Sequence, residues 1–178
     1  KGMEETAAVA SREAYAHGVK WTFAPMVDIA RDPRWGRVVE GAGEDPYYGS
    51  LVAAARVKGF QRSGKVVACA KHWVAYGAAE AGRDYNTADM SERTLREVYF
   101  PPFKAAVDAK VGTFMSSFNE IGGVPASANR FTLTDVLRGE WKWDGVMVSD
   151  FTSVEELIKH GIAGTPAEAC EAALNAGV

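Results

Sequence analysis

Asp150, Lys71, His72 and Arg37 are the side chains whose types and positions best suit chemistry on a ligand. Asp150 closes the apolar run Gly145-Val146-Met147-Val148-Ser149-Asp150, and Lys71-His72 close Val66-Val67-Ala68-Cys69-Ala70. Phe118 and Asn119 end a third run that begins at Thr113, and Arg37 lies in the loop after Trp21–Ile29. A run like Val146–Val148 reads as a strand buried on both faces, with no solvent side for an acid, so Asp150 belongs where strand opens into loop. If the strands are parallel, their carboxyl ends face one pocket, the place where βα proteins bind ligands. One carboxylate would then stand opposite two fixed cations, which favour the ionised form that a nucleophile needs. Charged groups of this kind exchange several hydrogen bonds with hydroxyls, the cations donating and the carboxylate accepting, and Trp35, Trp73 or Phe151 would pack on an apolar ring face. The set suits a neutral, polyhydroxylated ligand.

Each residue has a plainer reading beside this one. Asp150 could cap the following helix, His72 could be a satisfied structural histidine, and Lys71 a surface charge at a strand end. Successive strand residues point to opposite faces, so Lys71 and His72 reach one ligand only at the strand's very end. A metal shared by His72 and Asp150 is the competing chemistry, but His17 and His160 stand at no metal-ligand spacing from them. No metal and no cofactor is expected. In the loop Arg31-Asp32-Pro33-Arg34-Trp35-Gly36-Arg37, proline and Trp-Gly argue for a shaped segment over a solvated basic stretch. Arg83-Asp84 reads as an internal ion pair that holds the second loop.

The elements that would position these groups repeat in order. Residues 3–17 form an alanine-rich helix stopped at Gly18, and 21–29 a strand. Asp45-Pro46 opens a helix to about Ser63, with an acid at the cap and proline at the first helical position. Strand 66–73 follows, then a helix capped by Asp89 or Ser91 that runs to about Lys110. Next come strand 113–119, the loop Gly122-Gly123-Val124-Pro125, a helix from Thr132 to about Lys142, and strand 145–150. Ser153 with Glu156 makes a capping box, and Thr165-Pro166 with Glu168 starts a last helix. Strands alternating with helices predict an α/β fold with a parallel sheet of four βα units, either open or part of a (β/α)8 barrel. The first two βα loops run to about 15 residues, a length that usually carries function. No glycine-rich phosphate turn follows any strand.

The chain has 178 residues, 47% of them hydrophobic, and a formal net charge of -3. That balance gives no electrostatic reason to expect nucleic acid or an acidic membrane surface. No apolar run nears the roughly 18 residues of a membrane span. Cys69 and Cys170 sit in a strand-like and a helix-like run and read as small packing residues rather than a pair. The opening helix lacks a preceding strand, and Ala176-Gly177-Val178 reads as the entry to a further one, so residues 1–178 are expected to form part of one catalytic barrel domain cut at both ends. A complete barrel takes about 250 residues.

Ala24-Pro25-Met26-Val27-Asp28, Arg31 to Arg37 and Glu44-Asp45-Pro46 resemble glycoside hydrolase family 3. So do Ala70-Lys71-His72-Trp73, Gly82-Arg83-Asp84-Tyr85-Asn86-Thr87, Met115-Ser116-Ser117-Phe118-Asn119 and Val148-Ser149-Asp150-Phe151. The motifs come in the family's order over nearly the whole chain, and they look most like the bacterial β-glucosidases of the periplasmic type. The resemblance implies a (β/α)8 barrel and a retaining, exo-acting β-glycosidase that releases terminal β-D-glucose. It makes Asp150 the nucleophile and places Arg37, Lys71, His72, Met115, Phe118 and Phe151 at the substrate. It also implies a periplasmic or secreted location, with β-linked glucosides or oligosaccharides and the rest of the same enzyme as the partners. A β-xylosidase, a β-N-acetylglucosaminidase or a sugar-binding barrel without catalysis are the alternatives. The chain departs from the family pattern at Phe118, where many relatives carry tyrosine. The acid/base, a glutamate of a later domain in the β-glucosidase branch, has no counterpart here, nor has an aspartate from an earlier barrel strand.

Overall fold

The computed structural model describes residues 1–178. Its frame is a four-stranded sheet of β1 (Trp21–Thr22), β2 (Val67–Trp73), β3 (Thr113–Ser116) and β6 (Val146–Ser149), adjacent in that order. Every neighbouring pair is parallel. Helices α1 (Gly2–Ala16), α2 (Pro46–Gln61) and α4 (Phe100–Asp108) accompany it, and α5 (Glu156–Lys159) and α6 (Pro166–Ala176) follow β6. The short α3 (Glu92–Thr94) leads through a π-type segment, Leu95–Tyr99, straight into α4. Local chemistry sets the helix starts. Asp45 accepts from Tyr48 N–H at 2.6 Å with Pro46 beside it, Ser91 rather than Asp89 accepts from Thr94 N–H at 3.2 Å, and Thr165 accepts from Glu168 N–H at 3.3 Å.

The strands sort their side chains by parity. Ala68, Ala70, Phe114 and Met147 face the main core with helix residues Val57, Phe103 and Leu95. Trp73 lies at its centre, stacked on Phe100 (5.2 Å between centroids) with Phe103 and Trp141 edge-on at 5.1 and 5.2 Å. It is fully buried, so it packs the core and offers no platform to a ligand, contrary to the expectation from sequence. Alternate positions Val67, Cys69, Lys71, Val146, Val148 and Asp150 share the other face of the sheet.

Five features differ from the sequence reading. The first strand is ladder-bonded only at Trp21–Thr22, and residues 23–27 run beside β2 irregularly. Pro25 has no N–H to give, though its carbonyl accepts from Lys71 N–H at 3.1 Å and Val27 N–H returns a bond to Lys71 at 2.8 Å. The third strand stops at Ser116, and the expected loop at Gly122 is a hairpin, β4 (Glu120–Ile121) with antiparallel β5 (Val124–Pro125). Gly122 and Gly123 turn it with φ of 58° and 80°, conformations that glycine adopts cheaply. The helix expected from Thr132 is a π-type helix over Phe131–Glu140. No capping box forms at Ser153, because its hydroxyl is buried and bonded to Ser127 at 2.8 Å, which bonds Ser116 at 2.8 Å. No helix is long and apolar enough to cross a membrane.

Candidate active site

Asp150 follows the last ladder position of β6 and stands at the carboxyl edge of the sheet. One carboxylate oxygen, Oδ1, accepts from the N–H of Phe151 at 2.7 Å, while Oδ2 lies 3.4 Å from Nε2 of His72. A register shift between Lys71 and Trp73 interrupts the β2–β3 ladder at this level. Such irregularities re-aim side chains, and here Lys71 and His72, though consecutive, both reach the group around Asp150. His72 is fully buried with its ring edge-on to Tyr76, centroids 5.1 Å apart. Its Nε2 also lies 3.3 Å from Nη2 of Arg37.

Two carboxylates that the sequence reading passed over organise these cations. Glu40 takes Arg37 in a two-point clamp, Nε to Oε1 at 2.6 Å and Nη2 to Oε2 at 2.9 Å, and its Oε2 is 3.9 Å from Lys71 Nζ. Hydrogen bonds from Arg37 hold the Glu40 carboxyl below the ordinary glutamate range, against burial, with the charges of Arg37, Lys71 and His72 adding in the same direction. The clamp raises the Arg37 guanidinium further above its ordinary value. Asp28 lies beneath His72, accepting from its backbone N–H at 2.9 Å and bonded to Nδ1 at 2.8 Å, both through Oδ2. Signals for both were present: an acid closing Met26-Val27-Asp28, and an acid three residues beyond Arg37 on a short 3-10 turn, Val38–Glu40.

The other sequence candidates distribute unevenly. Met115 sits opposite Lys71 in register and is 5% exposed. Phe118 is buried with Met26, Trp35 and Tyr76, and the Tyr85 ring covers it at 4.2 Å, so it lies behind the site surface. Tyr85 was not singled out by the sequence. It is half exposed, and burial, then the carboxylates of Asp84, Glu156 and Asp150, push its hydroxyl upward. Phe151 is 83% exposed directly beside Asp150. Asn119 does not project into the pocket, since it is buried and donates to the Val74 carbonyl at 3.2 Å. Nor does Trp35, whose buried indole donates to Asp84 Oδ1 at 2.8 Å. That bond replaces the Arg83–Asp84 ion pair expected from sequence. No group of three or more His, Cys, Asp or Glu is placed to hold a metal ion. Paired acids and cations, with an exposed aromatic beside them, can hold several hydroxyls of a neutral ligand and present one carboxylate to it.

Comparison with known proteins gives the same frame. The model of the glycosyl hydrolase family 3 N-terminal domain matches residues 2–178. A periplasmic β-glucosidase of Salmonella typhimurium is 46% identical over 96% of this chain and 23% of its own length. A β-xylosidase of Formosa agariphila is 42% identical over 99% of the chain and 26% of its own. A β-glucosidase from Listeria innocua, solved in complex with glucose, superposes with a TM-score of 0.97 at 45% identity, over 99% of this chain and 26% of that one. The chain thus spans about a quarter of the length of the relatives it matches. With a parallel α/β frame, a matching order of motifs and identities well above the level where fold alone is shared, the chain belongs to glycosyl hydrolase family 3, within its N-terminal domain.

Proposed function

We propose that this chain is part of the (β/α)8 catalytic barrel of a retaining, exo-acting β-glycosidase, a β-glucosidase by preference, with Asp150 as its nucleophile. The observation that carries the reading is the placement of Asp150: a carboxylate at the carboxyl edge of a parallel sheet, 3.4 Å from His72 and grouped with the Arg37–Glu40–Lys71 cluster. Asp150 attacks the anomeric carbon and forms an ester as the glycosidic C–O bond breaks. The departing oxygen takes a proton from a general acid outside these residues, and water then cleaves the ester with that group acting as base. In a retaining enzyme the two carboxyls stand about 5–5.5 Å apart, and the family resemblance assigns the second to a glutamate of a later domain. Arg37, Lys71 and His72 hold hydroxyls of the terminal sugar, and Phe151 faces the ring or the leaving group. The named relatives support glucosides as substrates and, through the periplasmic one, a periplasmic or secreted location.

β-Xylosidase relatives support a second reading, separable by comparing aryl β-glucoside with aryl β-xyloside. The main test is Asp150→Asn in the full-length enzyme that carries this chain. Hydrolysis of an activated aryl β-glucoside should fall by about 10⁴-fold or more, the scale on which loss of a covalent nucleophile is felt, and azide should restore part of it. A 2-fluoro glucoside should label the parent at Asp150. Near-normal hydrolysis without azide would remove the nucleophile assignment, because a helix cap tolerates Asn as well as Asp.

A further inference from the structure

His72 meets three charged groups through two ring nitrogens, and their donor and acceptor characters are not interchangeable. Asp28 Oδ2 already accepts the backbone N–H of His72 at 2.9 Å, so the same oxygen at 2.8 Å from Nδ1 acts as an acceptor there too. Nδ1 therefore carries a hydrogen. At the opposite nitrogen, Nε2 stands between Arg37 Nη2 at 3.3 Å, which can only donate, and Asp150 Oδ2 at 3.4 Å. A bare Nε2 receives from Arg37, and one that bears hydrogen donates to Asp150 Oδ2. Asp28 is 2% exposed and its Oδ1 has no partner, so it lies out of a ligand's reach beneath the ring. Tyr76, edge-on at 5.1 Å, restrains the ring from tipping.

We infer that Asp28 is a positioning residue for Asp150: by holding the hydrogen on Nδ1, it confines every proton change of His72 to Nε2, the nitrogen that faces Asp150 and Arg37. The inference rests on the reading of Asp150 as nucleophile. A carboxylate of this kind fixes both the tautomer and the direction of a histidine that works elsewhere. The charged groups around the ring are Asp28 below, Arg37 and Asp150 at Nε2, and Glu40 and Lys71 behind Arg37.

The test uses the full-length enzyme labelled with ¹⁵N-histidine, with the His72 signals identified by their loss in His72→Gln. In the parent, Nδ1 should give the shift of a nitrogen that bears hydrogen, across the pH range in which the enzyme is active. A hydrogen-free Nδ1 in the parent overturns the inference without any variant. In Asp28→Ala nothing remains to receive the Nδ1 hydrogen, so the two tautomers should mix and the Nδ1 signal should move toward the hydrogen-free range. The rate of covalent labelling by a 2-fluoro glucoside should then fall by about ten- to a hundredfold, with a smaller change in the concentration needed for half-maximal rate. Unchanged His72 shifts and an unchanged labelling rate in Asp28→Ala overturn the inference. A parent that hydrolyses glucosides yet is never labelled at Asp150 overturns the function proposed above instead, and the ¹⁵N shifts still decide whether Asp28 sets the tautomer.

Discussion

Glu40 is the residue on which the cationic side of the site turns. It fixes Arg37 by two short bonds and lies within reach of Lys71. In Glu40→Gln the clamp weakens to neutral hydrogen bonding, and kcat/KM of the full-length enzyme should fall by about tenfold, a single charge-assisted bond being worth roughly 1.5–3 kcal/mol. Because Arg37 holds the folded carboxyl below its ordinary range, the stabilisation is present above the unfolded glutamate value and is lost as pH falls through the folded one. Urea unfolding should thus separate parent from Glu40→Gln near neutrality and bring them together in acid. A gap that persists in strong acid would show that the clamp contributes by packing alone. Lys71→Ala should also lower kcat/KM by about tenfold or more if it meets a sugar hydroxyl through a charged bond, and an unchanged value would return it to a solvated strand-end role.

At the scale of elements, close approach is what the helices demand of their small residues. A side chain on Gly59 of α2 would come within 2.3 Å of the Glu4 carbonyl and 2.7 Å of Ala7 on α1, so the two helices meet there at backbone distance. Gly59→Ala should destabilise by about 1–3 kcal/mol through overpacking, read as a lower denaturation midpoint, whereas Gly2→Ala, which meets nothing within 4 Å, should change it little. The sheet makes a parallel distinction between the two cysteines. Cys69 of β2 is buried, and burial pushes its thiol up to about 11. Cys170 on α6 is exposed. Iodoacetamide at pH 8 should modify Cys170 and spare Cys69 until unfolding, and equal rates would contradict the buried strand.

Across the whole molecule, the sheet face that carries Lys71 and Asp150 also presents large apolar groups. Trp21, Phe23, Val67 and Val146 are 39%, 49%, 41% and 61% exposed, and β1 and β6 are open edges. Exposed apolar area of this kind, with unpaired strand edges, favours association. The 178-residue chain prepared alone should bind an apolar dye such as ANS strongly and hydrolyse no aryl β-glucoside, since the general acid proposed for the reaction lies elsewhere. Low dye binding or measurable turnover by the isolated chain would contradict this.

The alternation of strands and helices, their parallel order and the helix starts at Asp45 and Thr165 were determined by the sequence itself, which left Asp89 and Ser91 as rival caps for the third. Caps, proline positions and side-chain parity act over two to four residues, so the chain carries them wherever it goes. That Asp150, Lys71 and His72 come together was legible for a related reason: polar groups that close apolar strands have one edge to occupy, and Arg37 reaches them from the loop after residues 21–29. The tertiary structure decided the rest. Asp28 and His72 are 44 positions apart, Trp35 and Asp84 49, and only strand register and loop path bring each pair within a hydrogen bond. The same packing drew Phe118 under Tyr85, Trp73 into the core and Ser153 into a chain of buried hydroxyls. A buried polar atom takes the partner that three dimensions offer it, and the local sequence does not name that partner.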